Sequence, residues 1–345
     1  MNLSAGTENL APFRLAPMFV ERIWGTPDLR PWYDFATSAE PGKNPIGEVW
    51  LTGDDCAVVT GSLAGKKLGE VFAAHSRSML GAATPEVIQG SSPLLLKVIF
   101  AQEKLSVQVH PDDKLAQKYG QPRGKTECWY ALAAEAGAEV AAGLREGVTL
   151  EQVEAEVADG SLESSLQVLP VAAGDLVFVD AGTVHAIWPG SVLLETQQNC
   201  DITYRLFDYG RPRELHVAKA LEAIRLHTKA GKILALEIPG DRTVLVDSDY
   251  FSVEKIVVNG ARAGNSIDSA SQAGGAETTG LQYLFAGEGS GRVQAADGGA
   301  FETVDLPSRG IVAVPASSPA WQIEDCGGLE LIRITPHFPA SSSAA

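Results

Sequence analysis

The sequence predicts an all-β fold with a few helices, organised as two jelly-roll β-barrels. Three observations carry the prediction. Thirty-five glycines and nineteen prolines divide the chain into many short apolar runs, the pattern of strands joined by turns. Helical periodicity is confined to a few segments. A faint internal repeat links Gly174-Asp-Leu-Val-Phe-Val-Asp-Ala-Gly-Thr-Val-His to Gly310-Ile-Val-Ala-Val-Pro-Ala-Ser-Ser-Pro-Ala-Trp. Each copy is a glycine turn, a short apolar strand and a turn of small residues, a unit suited to a double-stranded barrel.

In chain order, apolar runs bounded by turn residues place strands at Gly47–Thr52, Leu94–Ile99, Leu105–His110, Cys128–Ala133, Asp175–Val179, Val192–Gln197 and Ile202–Phe207. Four more follow at Phe251–Val258, Leu281–Phe285, Ile311–Val314 and Glu330–Ile334. The best helical candidates are Leu68–Ala74, Asp113–Tyr119, Leu150–Asp159 and His216–Arg225. Thr149 followed by Gln152 has the form of a capping box before the third. In the fourth, Leu215, Ala218, Leu221, Ala223 and Ile224 give one apolar face. Residues 261–280, rich in Ala, Gly and Ser, read as a loop, and Ala340–Ala345 as a disordered tail. The expected division is a first barrel with helical decorations over 1–235, a second over 236–339, and the tail over 340–345.

Composition narrows the function classes. The 345 residues are 45% hydrophobic and 20% charged, enough apolar material for a proper core. A net charge of −16 with no basic face argues against a nucleic-acid partner. It also means that an anionic substrate would need a local basic cluster. The four cysteines are far apart and form no Cys-x-x-Cys pair, which fits a reducing cytoplasm. Neither a signal peptide nor a membrane span is expected.

The stretch Leu105-Ser-Val-Gln-Val-His is the most informative. Side chains alternate along a strand, so Ser106, Gln108 and His110 share one face while Val107 and Val109 take the other. A lone histidine or glutamate in a strand is more often structural, but here such residues accumulate. Glu127 and His185 complete a set of two imidazole nitrogens and two oxygen donors with Gln108 and His110, which suits zinc or another divalent first-row metal. In the second copy of the repeat, Pro319, Ala320 and Trp321 stand where His185 stands in the first, so metal is expected only in the first barrel. Lys125 shares strand parity with Glu127, and Glu195 with Arg205. Lys97 lies in the apolar run Leu94-Leu-Leu-Lys-Val-Ile, where a lysine needs an anionic partner.

These residues resemble type I phosphomannose isomerases, zinc enzymes of the cupin class. The resemblance rests on Trp24-Gly25, Gly47-Glu48-Val49-Trp50, Pro93-Leu-Leu-Leu-Lys-Val-Ile, Leu105-Ser-Val-Gln-Val-His-Pro-Asp, Gly124-Lys-Thr-Glu, Ala181-Gly-Thr-Val-His-Ala and Glu195 through Arg205. It implies one zinc per chain on Gln108, His110, Glu127 and His185. It further implies an active-site arginine at Arg205 and pocket roles for Lys97, Ser106, Lys125 and Glu195. Longer members read His-Lys-Pro-Glu where this chain has Gly124-Lys125-Thr126-Glu127. Only 58 positions separate Glu127 from His185, leaving no room for a large helical insertion, as in the short bacterial branch.

The implied reaction interconverts mannose 6-phosphate and fructose 6-phosphate through a cis-enediol. Glu195 is a candidate base, with Lys125 assisting ring opening or proton shuttling. Arg205, with Lys97 or Ser106, would hold the phosphate or the enediolate. The expected partner is a small sugar phosphate, with no nucleic acid and no membrane, for a cytoplasmic monomer or homodimer. Two other readings stay open: a mononuclear iron cupin dioxygenase, whose two histidines and one carboxylate would suit iron(II), and a non-catalytic sugar-phosphate-binding cupin.

Overall fold

Strand segments dominate the computed structural model, which describes residues 8–35, 45–81, 90–239, 241–258, 260–264, 280–296 and 299–338. The strand pairings are antiparallel, and four α-helices occur among the described residues. The helices are Leu68–Leu80, Asp113–Lys118, Leu150–Asp159 and Val217–Ala223, at the four segments where periodicity put them. Thr149 accepts a hydrogen bond from the Gln152 amide at 3.2 Å, satisfying a donor that the helix itself leaves open.

The chain divides into two compact units, neither continuous in sequence. One comprises Phe19–Trp50 and Leu94–Leu234; the other takes Met1–Met18, Leu51–Pro93 and Ala235–Ala345. The expected boundary at 235/236 falls beside the last crossing between them, but the C-terminal unit also takes in the first strand and residues 51–93.

Within the first unit, a seven-stranded sheet and a five-stranded sheet supply the frame. In the larger sheet, strands Ile46–Trp50, Leu94–Phe100, Ser191–Gln198, Glu127–Ala134 and Leu176–Val179 lie side by side. In the smaller, Tyr204–Phe207, Val107–Val109, His185–Ile187, Glu139–Leu144 and Leu166–Pro170 are neighbours. The alternation expected for the segment around Gln108 has a visible consequence. Val107 and Val109 join an apolar cluster with Ala186, Tyr204 and Leu206, covered by Val153, Ala220 and Ala223 of two helices. A second cluster, including Ile99, Trp129, Ala142, Val177, Ile187 and Leu193, draws residues from both sheets. Apolar burial at about 25 cal/mol per Å² holds the layers together, and the polar site interrupts this inner cluster.

The other unit carries a second seven-stranded sheet and a four-stranded sheet. Its core includes Ile256, Leu284, Val293, Val304, Val312, Ile323 and Leu331. Here the sequence reading needs amending. Ala261–Ala263, expected in a loop, forms a strand paired with Trp321–Asp325. Residues 265–279 of that segment, and the tail, lie outside the described residues.

Candidate active site

Cross-strand register builds the site. Lys97 pairs with Glu195, Glu195 with Trp129, and Gln197 with Glu127, so the inward face of the larger sheet carries a charged row. In the smaller sheet Gln108 pairs with both His185 and Arg205. A cavity of about 460 Å³ opens among these residues. Among the residues lining it are Lys97, Ser106, Gln108, Lys125, Glu195 and Arg205, all singled out from sequence.

His110, Glu127 and His185 are buried, with their ligand atoms within 4.8 Å of one another, the one such group among the described residues. Each imidazole is oriented by a backbone carbonyl. His110 Nδ1 lies 2.8 Å from Ile202 O and His185 Nδ1 2.9 Å from Thr183 O. A proton on each Nδ1 leaves each Nε2 lone pair facing Glu127, at 3.6 and 3.5 Å. This outer bracing of two imidazoles is how metal-ligating histidines are fixed. Glu127 is fully buried; Lys125 Nζ stands 3.0 Å from Oε2 as an ion-pair partner, and Oε1 has no hydrogen-bond donor. A buried carboxylate oxygen without a donor is costly unless a cation takes it, so the donor set fits a divalent metal. Burial lifts Glu127 to about 7 against the pull of Lys125. Burial lowers His185 to about 4, and burial with the Lys125 charge takes His110 well below its ordinary value.

Gln108 adjoins this group with its Nε2 3.2 Å from His185 Nε2, while its Oε1 accepts from Ser106 Oγ at 3.0 Å. Lys125 was expected to enter the site by strand parity. The strand begins only at Glu127, and Lys125 instead enters from a loop. The loop is tied down by Lys125 N to Pro111 O (3.0 Å), Thr126 N to Gln198 Oε1 (2.9 Å) and Gly124 N to Asp113 Oδ1 (2.7 Å). Lys125 Nζ reaches 3.0 Å from His110 Nε2. Gly124 has no room for a side chain: a Cβ there would lie 2.5–2.6 Å from the Pro111–Asp113 backbone. The histidine of longer relatives therefore has no place in this loop as it stands.

The charged row is a chain of pairs. Lys97 Nζ sits 2.8 Å from Glu195 Oε2 and 3.8 Å from Glu48 Oε1. Glu48 accepts from Arg22 Nη2 at 2.8 Å and Trp50 Nε1 at 2.7 Å, and Trp129 Nε1 donates to Glu195 Oε1 at 3.2 Å. Burial opposes charge on all three partners, but their mutual attraction wins. Lys97 is raised, Glu48 is lowered, and Glu195 is held down at about 2. Arg205 donates through Nη1 to Glu214 O at 3.1 Å, and its buried Nε has no hydrogen-bond partner. Burial, then the like charge of Arg213, lowers its pKa.

Sequence reasoning missed Arg22, Glu48, Trp129, Asp201, Thr203 and Arg213 as lining residues. Glu48 was signalled by its place between glycine and two apolar residues in Gly47-Glu48-Val49-Trp50. The others carried no local signal.

A family model for the catalytic domain of type I phosphomannose isomerase matches residues 12–141. The chain is 35% identical over 262 residues to the mannose-6-phosphate isomerase of Streptococcus mutans, covering 72% of this chain and 80% of that one. It is 34% identical over 272 residues to mannose-6-phosphate isomerase ManA of Bacillus subtilis, with the same two coverages of 72% and 80%. The crystal structure of a mannose 6-phosphate isomerase from Bacillus subtilis superposes with a TM-score of 0.78 at 31% identity, over 94% of this chain and 99% of that chain.

Proposed function

Because the chain belongs to the type I phosphomannose isomerase family, whose interconversion of mannose 6-phosphate and fructose 6-phosphate is its activity, we propose the following use of the site. The observation that carries this reading is a buried His110–Glu127–His185 group beside a cavity lined by five cations, Arg22, Lys97, Lys125, Arg205 and Arg213, against four carboxylates, Glu21, Glu48, Glu195 and Asp201. In a chain of net charge −16 such a concentration favours a phosphorylated substrate. An oxygenase would have no use for it.

One zinc per chain would be held by His110, Glu127 and His185, with Gln108 as fourth ligand. Turning the Gln108 amide by half a rotation would offer its oxygen to the metal and its nitrogen to Ser106, which would then accept. When bound, zinc would supply positive charge near the substrate oxygens that become negative during the reaction.

The remaining chemistry falls to the chain. A proton leaves C2 and returns to C1 through a cis-enediol. Glu195 is the proposed acceptor and is ionised at neutral pH, as a base must be. Its ion pair with Lys97 makes it too weak a base at rest. As negative charge develops on the substrate, Lys97 would turn toward it, and Glu195 would gain basicity at that moment. Lys125 would assist ring opening and proton movement, and Arg205 would stabilise the enediolate oxygens. Ser106 and Lys97 would border the bound sugar.

The facing sheets of this unit would form the first of two cupin barrels, and residues 236–339 the body of a second, metal-free one. The enzyme would act in the cytoplasm as a monomer or homodimer, in keeping with three buried free cysteines and one exposed. Coupled detection of fructose 6-phosphate formed from mannose 6-phosphate tests the reading. Activity should vanish on chelation and return with zinc. Stoichiometric tight binding of mannose 6-phosphate without turnover by the metal-loaded protein would mark a sensor instead.

A further inference from the structure

Two arginines behind Arg205 are organised by a single carboxylate. Asp208 is 2% exposed, yet it lies one residue beyond the Tyr204–Phe207 strand that carries Arg205. Arg213 meets it side-on, Nε to Oδ2 at 2.7 Å and Nη2 to Oδ1 at 2.5 Å. Arg211 approaches Oδ1 from another side at 3.4 Å, and is itself held by Lys104 O at 2.7 Å and Glu103 at 2.8 Å. Only Arg213 of this pair lines the cavity; Asp208 does not. The carboxylate thus stays behind the guanidinium rather than competing for what enters the cavity.

The segment between them is built to hold this arrangement. Tyr209 and Gly210 both adopt left-handed backbone conformations, at φ of 55° and 76°. For a tyrosine this is an uncommon conformation that surrounding contacts must enforce. Those contacts are present: its hydroxyl donates to Glu163 at 2.8 Å, and Lys104 and Arg211 lie over its ring at 5.4 and 5.5 Å. The resulting reversal brings Arg213 back beside Arg205, near enough for its charge to lower the pKa of that residue. Arg205 forms no ion pair among the described residues. Arg205 and Arg213 thus both border the cavity, and of the two only Arg213 has a paired carboxylate, Asp208, which is set back from the lining. Lys97, by contrast, is already paired with Glu195 and Glu48.

We propose that Asp208 is a positioning residue, which locks Arg213 edge-on so that the free edge of its guanidinium takes the phosphate of the substrate. Fixing one edge of the fork on a carboxylate prepays the ordering of a long side chain, and a planar donor pair suits a phosphate better than a mobile ammonium. This rests on the isomerase reading above and names where in the site the anion is held.

The test is steady-state kinetics on mannose 6-phosphate with Asp208→Asn, Arg213→Ala, Arg213→Lys and the Asp208→Asn/Arg213→Ala double variant. Metal content and thermal melting are followed in each, and inorganic phosphate serves as a competitive inhibitor. Asp208→Asn and Arg213→Ala should each raise KM and the phosphate inhibition constant together by about 10–100-fold, the loss of one or two charge-assisted hydrogen bonds. The kcat at saturation should stay within about threefold. Arg213→Lys should recover only part of the loss. The double variant should be no worse than Arg213→Ala alone, since Asp208 acts through that arginine. Additive losses, or Arg213→Ala with an unchanged KM, overturn the proposal, and the latter holds even if Asp208→Asn does not fold. Wild-type protein that forms no fructose 6-phosphate would instead overturn the isomerase reading, so the two failures are distinct.

Discussion

In the unit built from the C-terminal strands, Glu254 is held from two sides: Arg333 donates through Nε and Nη2 at 2.8 and 2.6 Å, and Arg242 through Nη2. All three residues are buried. In the unit that contains the cavity, another buried charged set runs through Glu48, Lys97, Glu195, Lys125 and Glu127. The two interiors bury similar chemistry and differ in how it is satisfied. Each Glu254 oxygen accepts a hydrogen bond from a guanidinium. Glu127 has one oxygen beside Lys125 Nζ and one with no donor, each facing an imidazole nitrogen. The comparison teaches that buried charge alone does not mark a site. What marks one is surplus acceptor capacity converging beside a cavity.

The sharpest way to break this comparison is to remove the acceptors. His110→Ala or His185→Ala should abolish both metal binding and isomerisation, as should chelation, with zinc restoring only the wild type. Elemental analysis checks this, and full occupancy in a His110/His185 double variant would sink the ligand assignment. Next in size is Arg205. If it acts on the reacting oxygens, Arg205→Ala should lower kcat by about 10²–10³-fold with metal content intact. Lysine should restore little, because it cannot present two parallel donors. A rise in KM at constant kcat would instead make it a binding residue, and wild-type kinetics in both variants would remove it from the site.

The other side of the comparison predicts stability without function. Glu254→Gln takes away a carboxylate shared by two arginines and should destabilise by about 3–5 kcal/mol, leaving the kcat of folded protein unchanged. Burial pushes Glu254 up, but Arg333 and Arg242 outweigh it and hold its pKa below the ordinary value of 4.5. A lowered folded pKa means that this stabilisation is complete above the unfolded value and fades as pH falls through the folded one. The gap between wild type and Glu254→Gln in denaturant melts should therefore narrow below about pH 4. A gap independent of pH would show that packing, not charge, is lost. The smallest effect concerns the outer layer over the Val107–Val109 face. Thr149→Ala removes the helix cap and should cost about 1 kcal/mol with kinetics unchanged, as urea melts would register.

Period-two alternation is a local property of the backbone. That is why Gln108 and His110 were legible on one face and Val107 and Val109 on the other. The odd lysine in an apolar run was legible for the same reason, since any buried Lys97 must find a carboxylate. The four helices and eleven of the strands followed from periodicity and turn residues. Strands such as Met18–Thr26, Glu139–Leu144 and Gly291–Ala295 did not. Their residues mix apolar, small and charged types, and pairing rather than propensity makes them strands. Lys125 was placed correctly for a reason that the fold replaced, a tethered loop instead of a strand.

The sequence by itself thus determined the β character, the residue types of the site and the need for a basic cluster in an acidic chain. Only the tertiary structure decided that Glu127 meets His110 and His185, that Lys97 is shared between Glu195 and Glu48, and that Asp208 stands behind Arg213. It also decided that residues 51–93 belong with the C-terminal unit. The reason is one of range. Face and periodicity are set by neighbours along the chain, whereas register between strands far apart in sequence is set by burial of the whole sheet, and each of these meetings depends on that register or on loops anchored to it.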